Sequence, residues 1–513
     1  MGDNIVATSH PLAAQAGVRM LDKGGNAVDA ALATAMALTV VEPTGCGLGS
    51  DAFAMVWDGH RLHGLNASGR SPQGWSLNRF AGRQAIPAHG WDSVSVPGVV
   101  SAWVALSERF GRLPLSTIAE PAIAYARDGF PVSPIIAKLW LNGEKTLSGG
   151  PGFAESFLIG GRAPRAGERY IMPDHARSLE MIAETKGEAF YRGVLAERIV
   201  AHAAQHGGAM TMDDLATHRT DWVEPLSQPF AGATVHELPP NGQGITTLVT
   251  LGLLEALGLG SDPVDDVETL HLIIEATKLA MADTEELVGD PDRMTVSASE
   301  LLDPSYIAMR AKLVDRKRAG DPGHGQPKPG GTVYIATADR SGMMVSFIQS
   351  NYMGFGSGVV VPGTGISLQN RGAAFSLTPG HPNEVAPRKR PFHTIIPGFA
   401  TRDGQPLMSF GVMGGPMQAQ GHTQIAVRTL LYGQNPQAAA DAPRWRVVSG
   451  RTIAVESSFD VALAEALRAR GHNIVFEEPD AVFAFGGAQV IMRTDAGYVG
   501  GSDPRKDGQA VAF

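Results

Sequence analysis

The chain is almost without cysteine: Cys46 is the only one in 513 residues. An internal disulfide is excluded, and nothing in the cysteine count speaks for an oxidising compartment. Basic blocks are missing as well. Lys and Arg total 42 against 51 Asp and Glu, a net charge of −9, which argues against a nucleic-acid partner. Long apolar runs are absent. The longest, AALATAMALTVV at 30–41, is too short to span a bilayer and stops at Glu42-Pro43. It is expected as a buried core helix, and no membrane partner is expected. The start, MGDNIVATSHPLAAQ, lacks the charged and apolar regions of a signal peptide, so a cytoplasmic location is expected.

Glycine is abundant: 62 residues, clustered in short loops, as tight turns or backbone-lined sites require. The length allows one large or two ordinary domains. Residues 24–41 predict a helix capped near Asn26 and stopped before Pro43. A glycine loop, Gly45-x-Gly47-x-Gly49, then leads into a strand. The order helix–loop–strand is the reverse of what a dinucleotide fingerprint needs. Residues 264–288 predict an amphipathic helix with Val267, Leu270, Ile274 and Met281 on one stripe. His271 on this helix reads as a structural polar residue. Further helices are expected near 417–433 and 459–470.

Residues 318–331, RAGDPGHGQPKPGG, carry no apolar periodicity and predict an exposed flexible loop. Directly behind it stand two strand candidates, 332–338 and 343–350, joined by Asp339-Arg340-Ser341-Gly342. This turn pairs Asp339 with Met343. Counting back sets Thr332 opposite Ser350; a slip of one residue would turn Ser350 to the other face. A threonine hydroxyl is a poor nucleophile without a base. A threonine at a chain terminus supplies its own, an α-amine titrating near ~7.7–8. A severable linker ending in Gly330-Gly331 fits that chemistry; a β-branched residue opening a strand is the plain alternative. Gly414 and Gly415, between a strand and a helix with Pro416 at its first position, offer free N–H groups to an oxyanion, or form an ordinary turn.

With these features in place, the sequence resembles the γ-glutamyltransferase family of N-terminal-nucleophile hydrolases. The resemblance rests on GGNAVDAALATAMALTVVEPTGCGLGSDAF (24–53), LPPNGQGI (238–245), GDPD (289–292), FGSG (355–358), KRPFHTIIP (389–397), APRW (442–445) and GGSDPRKDGQA (500–510). It implies an α+β fold, an αββα four-layer sandwich, made as a proenzyme. Cleavage would give a large part, 1–331, and a small part, 332–513. These would self-associate as two fragments of one unit acting on a small-molecule amide, with no metal or organic cofactor. It implies Thr332 as nucleophile, Ser350 as its supporting hydroxyl, and Gly414 and Gly415 as the oxyanion hole.

The implied substrate-binding positions are Ser68, Arg70, Tyr352, Arg371, His393 and Thr394. Several depart from the family pattern. Ser68 takes the place of the arginine that grips an α-carboxylate, and Arg70 follows two residues on. Ala374 replaces the aspartate that holds an α-amine, and Arg371 stands three residues earlier. His393-Thr394 replaces a serine pair. An ammonium desolvated here would lack a carboxylate. Arg70 and Arg371 stand either as ligands or as structural groups. Three readings follow: a glutaryl- or cephalosporin-acylase-like amidase, a γ-glutamyl transferase, and a non-catalytic binding module.

Overall fold

The computed structural model describes residues 1–322, 331–478 and 484–513. Two antiparallel sheets lie face to face between two layers of helices. The first has seven strands, in the order 509–512, 5–8, 331–338, 344–352, 51–57, 62–66 and 221–223. The second has six, in the order 497–502, 488–494, 405–412, 398–402, 233–237 and 226–230. Both draw strands from either side of the Gly331–Thr332 bond.

Side-chain alternation along the strands explains the layering. In the strand Gly331–Ala338, Val333 and Ile335 point to one helical layer, while Tyr334, Ala336 and Ala338 point to the other sheet. The neighbouring strand repeats this, with Val345 and Phe347 on the helix side and Met344 and Ile348 between the sheets. Both faces are covered, so these strands read as nearly continuous apolar runs. On the far side, helix Gly244–Ala256 packs on the second sheet through Leu248 and Leu251, and helix Val267–Leu287 packs on that helix and joins the same core through Leu270 and Ile274.

Helix Ala27–Val41 begins with the Asn26 capping box and ends before Pro43, and all its residues are buried. Asp266 caps the helix predicted at 264–288. The region 417–433 forms a helix, Met417–Ala426, followed by a π turn, Val427–Leu431; Pro416 caps it rather than occupying its first position. The helix near 459–470 runs Val461–Ala469.

The loop expected at 318–331 is not exposed throughout. Ala319 is buried and its N–H meets the Arg470 carbonyl. The Gly320 N–H reaches Glu275 Oε2 at 3.0 Å, and Lys278 Nζ reaches the Gly320 carbonyl at 2.7 Å. A buried ion pair between helix residues Glu275 and Lys278 thus anchors the start of the segment. Gly331 belongs to the strand; residues 323–330 lie outside the described residues.

Candidate active site

The turn Asp339–Gly342 closes as its residues dictate. The Asp339 N–H bonds the Met343 carbonyl at 3.1 Å, and Gly342 adopts φ +90°. The ladder holds the predicted register up to Gln349 opposite Val333, then shifts so that Tyr352 faces Gly331. The bulge leaves Thr332 and Ser350 within reach: their hydroxyl oxygens are 3.1 Å apart, both buried. In the intact chain the Ser350 hydroxyl donates to the Gly331 carbonyl oxygen at 2.6 Å. Thr332 Oγ1 lies 2.8 Å from that same oxygen, beside the carbon of the Gly331–Thr332 bond.

Gly414 and Gly415 follow the strand Gln405–Val412 and adopt φ +119° and +62°, where a side chain would be strained. Among the described residues, no carbonyl takes the N–H of either glycine. The Gly415 carbonyl is held by Gln243 Nε2 at 2.9 Å, and the same amide nitrogen holds the Thr394 carbonyl at 2.5 Å. Three residues after Gly415, Gln418 Nε2 donates to Thr332 Oγ1 at 3.3 Å, which brings this loop to the threonine.

Beyond Pro416 opens a cavity of about 350 Å³, mostly apolar, whose walls include Met281, Tyr352, Ala374, Phe392 and Thr394. Tyr352 adopts φ +77°, unusual for a side-chain-bearing residue. Its N–H bonds Ser350 Oγ at 2.8 Å, and its ring lies 4.0 Å from the Arg371 guanidinium carbon. Arg371 is buried behind that ring. Its Nη1 donates to Thr394 Oγ1 at 2.8 Å, while among the described residues no acceptor meets Nε or Nη2. Burial lowers its pKa to about 10, so it is charged at neutral pH.

His393 faces Asp51 instead of the cavity, Nε2 to Oδ2 at 3.1 Å. Its Nδ1 accepts the Ile395 N–H at 3.3 Å, which leaves the proton on Nε2. Burial, then Arg371 and Arg390, hold its pKa well below 6.5, so it is neutral. Burial raises Asp51 to about 7, against the pull of Arg371. Ser68 is buried in a polar network of its own: its hydroxyl donates to Asn66 Oδ1 at 2.7 Å, and Asn241 Nδ2 lies 3.2 Å from it. Arg70 does not join the cluster. It pairs with Asp221 at 3.3 Å, alongside Arg390 at 2.7 Å, on a partly exposed face.

Asp51, Gln243 and Gln418 were not found from the sequence. Asp51 opens a strand and Gln418 follows the glycine pair by three residues, but neither position announces its partner. His271 is buried and bonded to His472 and the Asp315 carbonyl, each at 2.8 Å. With Glu275 these histidines form a ligand-like trio, but the Lys278 ammonium lies 2.5 Å from Glu275 and takes the place of a cation.

Comparison with known proteins agrees with this layout. The Gamma-glutamyltranspeptidase family profile matches residues 13–513. The chain is 40% identical to the glutathione hydrolase-like YwrD proenzyme of Bacillus subtilis, covering 99% of this chain and 98% of the relative. It is 38% identical to the oxamate amidohydrolase proenzyme of Klebsiella pneumoniae, covering 98% and 97%. Among solved structures, the cephalosporin acylase from Bacillus halodurans superposes with a TM-score of 0.94 at 48% identity, covering 100% of this chain and 96% of that one. From strand register to full-length likeness, the chain belongs to the γ-glutamyltranspeptidase family of N-terminal-nucleophile hydrolases.

Proposed function

We propose that the chain cuts itself between Gly331 and Thr332 and then hydrolyses amides of small carboxylate-bearing acyl groups that lack a free α-ammonium. The contacts around Gly331 support self-cleavage. Thr332 Oγ attacks the Gly331 carbonyl carbon; the C–Oγ bond forms, the C–N bond breaks, and the hydroxyl proton passes to the departing amine. Ser350 donates where the carbonyl oxygen gains charge. Water then cleaves the ester, leaving a Gly331 carboxylate and a free Thr332 amine. The two parts, 1–331 and 332–513, stay together because each sheet hydrogen-bonds strands of one part to strands of the other.

In turnover the α-amine takes the Thr332 hydroxyl proton while Oγ attacks the substrate carbonyl. The N–H groups of Gly414 and Gly415 receive the oxyanion, and water resolves the acyl-enzyme.

The observation that carries the acyl preference is Arg371. It is a charged guanidinium with two nitrogens that no described acceptor meets, beside a neutral His393 and an Asp51 that is largely protonated below about 7. This leaves a positive field behind Tyr352, at the edge of a cavity where Ala374 offers an ammonium nothing. Oxamate, which names the Klebsiella relative, is a carboxylate amide of this kind. The test compares glutaryl- and γ-glutamyl-p-nitroanilide on the processed enzyme. Faster turnover of the glutaryl amide is expected. Equal or reversed rates would favour the second reading, γ-glutamyl transfer, which the family itself supports.

A further inference from the structure

Gln418 is buried in the first turn of the helix Met417–Ala426, and both ends of its amide are committed. Oε1 accepts the Ile396 N–H at 3.1 Å. A backbone N–H requires an acceptor, so this bond fixes which end of the amide is which. Nε2 must then face Thr332 Oγ1, at 3.3 Å. One turn along the same face of the helix, His422 Nδ1 meets Glu237 Oε1 at 2.6 Å in a buried pair, which fixes that face against the strand carrying Glu237. Gln418 therefore approaches the threonine from a fixed direction.

The geometry points to Gln418 as a further catalytic residue, a hydrogen-bond donor to Thr332 Oγ that stabilises this oxygen while it carries negative charge. This rests on Thr332 being the nucleophile. A threonine hydroxyl has one proton and two acceptor lone pairs. Gln418 occupies one lone pair, so the hydroxyl proton is turned away from it. That leaves the proton directed to the Gly331 side in the intact chain and to the α-amine in the cut enzyme. As attack proceeds, Oγ gives its proton to the α-amine and its electron pair to the carbonyl carbon; the ammonium then passes that proton to the leaving amine as the substrate C–N bond breaks. In deacylation the α-amine takes a proton from water as the water oxygen adds to the ester carbon, and the C–Oγ bond breaks. The electron pair returns to Oγ, and the ammonium gives it the proton taken from water. The Gln418 N–H is spent most usefully in that second step, when Oγ leaves as a partial alkoxide.

A donor aimed at developing charge is worth up to about a thousandfold in rate, and a neutral contact of this length should fall nearer tenfold to a hundredfold. Gln418→Glu is the informative variant. It keeps the bulk and the acceptor for Ile396, and replaces the donor with a carboxylate oxygen. Chain cleavage should slow, and kcat should fall about tenfold to a hundredfold with KM little changed. As the pH is lowered, a protonated Glu regains an O–H for Thr332, so the ratio of variant to wild-type rate should climb. A purely structural role would leave that ratio flat. Gln418→Met, which has neither donor nor acceptor, should stay slow at every pH; it carries the test alone if the Glu variant fails to fold.

Wild-type cleavage and kcat in a folded variant, or a flat rate ratio for Gln418→Glu, overturn the proposal. Thr332→Ala serves as the reference. If that variant is still cut, the nucleophile reading itself fails. If it stays whole while the Gln418 variants behave as wild type, only the role of Gln418 fails.

Discussion

Two regions that share one site are built on opposite principles. Around Thr332 the polar groups close on one another: Ser350, Gln418 and the Gly331 carbonyl all stand within 3.3 Å of its hydroxyl oxygen. Around Arg371 the set is left open, with one nitrogen bonded to Thr394 and, among the described residues, no acceptor at the other two. A closed set holds one oxygen in one orientation, as covalent chemistry demands. An open set of buried donors is costly unless something occupies it, as a substrate carboxylate would. The Thr332 end is thus closed by protein groups alone, while the Arg371 end holds the donors proposed to meet a substrate carboxylate.

The largest effect should come from breaking the closed end. Thr332→Ala should remain a single chain with activity reduced about 10⁴-fold or more, as intact mass and turnover would reveal. Ser350→Ala should still be cut, about a hundredfold more slowly, in a time course on denaturing gels. Cleavage at the wild-type rate would remove Ser350 from the self-cleavage step.

At the open end the effect should be smaller and selective. Arg371→Gln should lower kcat/KM for glutaryl amides about tenfold to a hundredfold, the size of a lost charged hydrogen bond. Amides of neutral acyl groups should change little. A uniform loss across both substrate types would make Arg371 structural.

The smallest effect concerns pH, and it separates the two ends by sign. Burial holds His422 at about 3, below the unfolded value of 6.5. The stability it contributes is complete above pH ~6.5 and is lost as the pH falls towards that value. Asp51, raised to about 7 by burial, behaves in the opposite way. Its contribution is complete below its unfolded value of 3.8 and is lost as the pH rises through about 7. Melting temperatures of wild type and Asp51→Asn should therefore draw closer between pH ~5 and ~8. A gap that stays constant over that range would show that Asp51 is buried as a carboxylate.

How much of this was legible in the sequence depended on distance along the chain. Asn26 caps its own helix three residues on, and the Asp339–Gly342 turn sets the register of the strands beside it. Thr332 and Ser350, 18 residues apart, follow from that register. Gln418 lies 86 residues from Thr332, Asp221 lies 151 from Arg70, and Asp51 lies 342 from His393. No period or turn rule spans such gaps.

The hairpin, the capped helices and the family could be read from the residues alone, because each is written in short-range spacing or in motifs carried along the whole chain. Tertiary packing alone pairs Arg70 with Asp221, leaves two Arg371 nitrogens without an acceptor among the described residues, and turns the Gln418 amide to Thr332. Those outcomes depend on which groups share one buried volume, and buried polar groups are settled by the partners that packing brings to them.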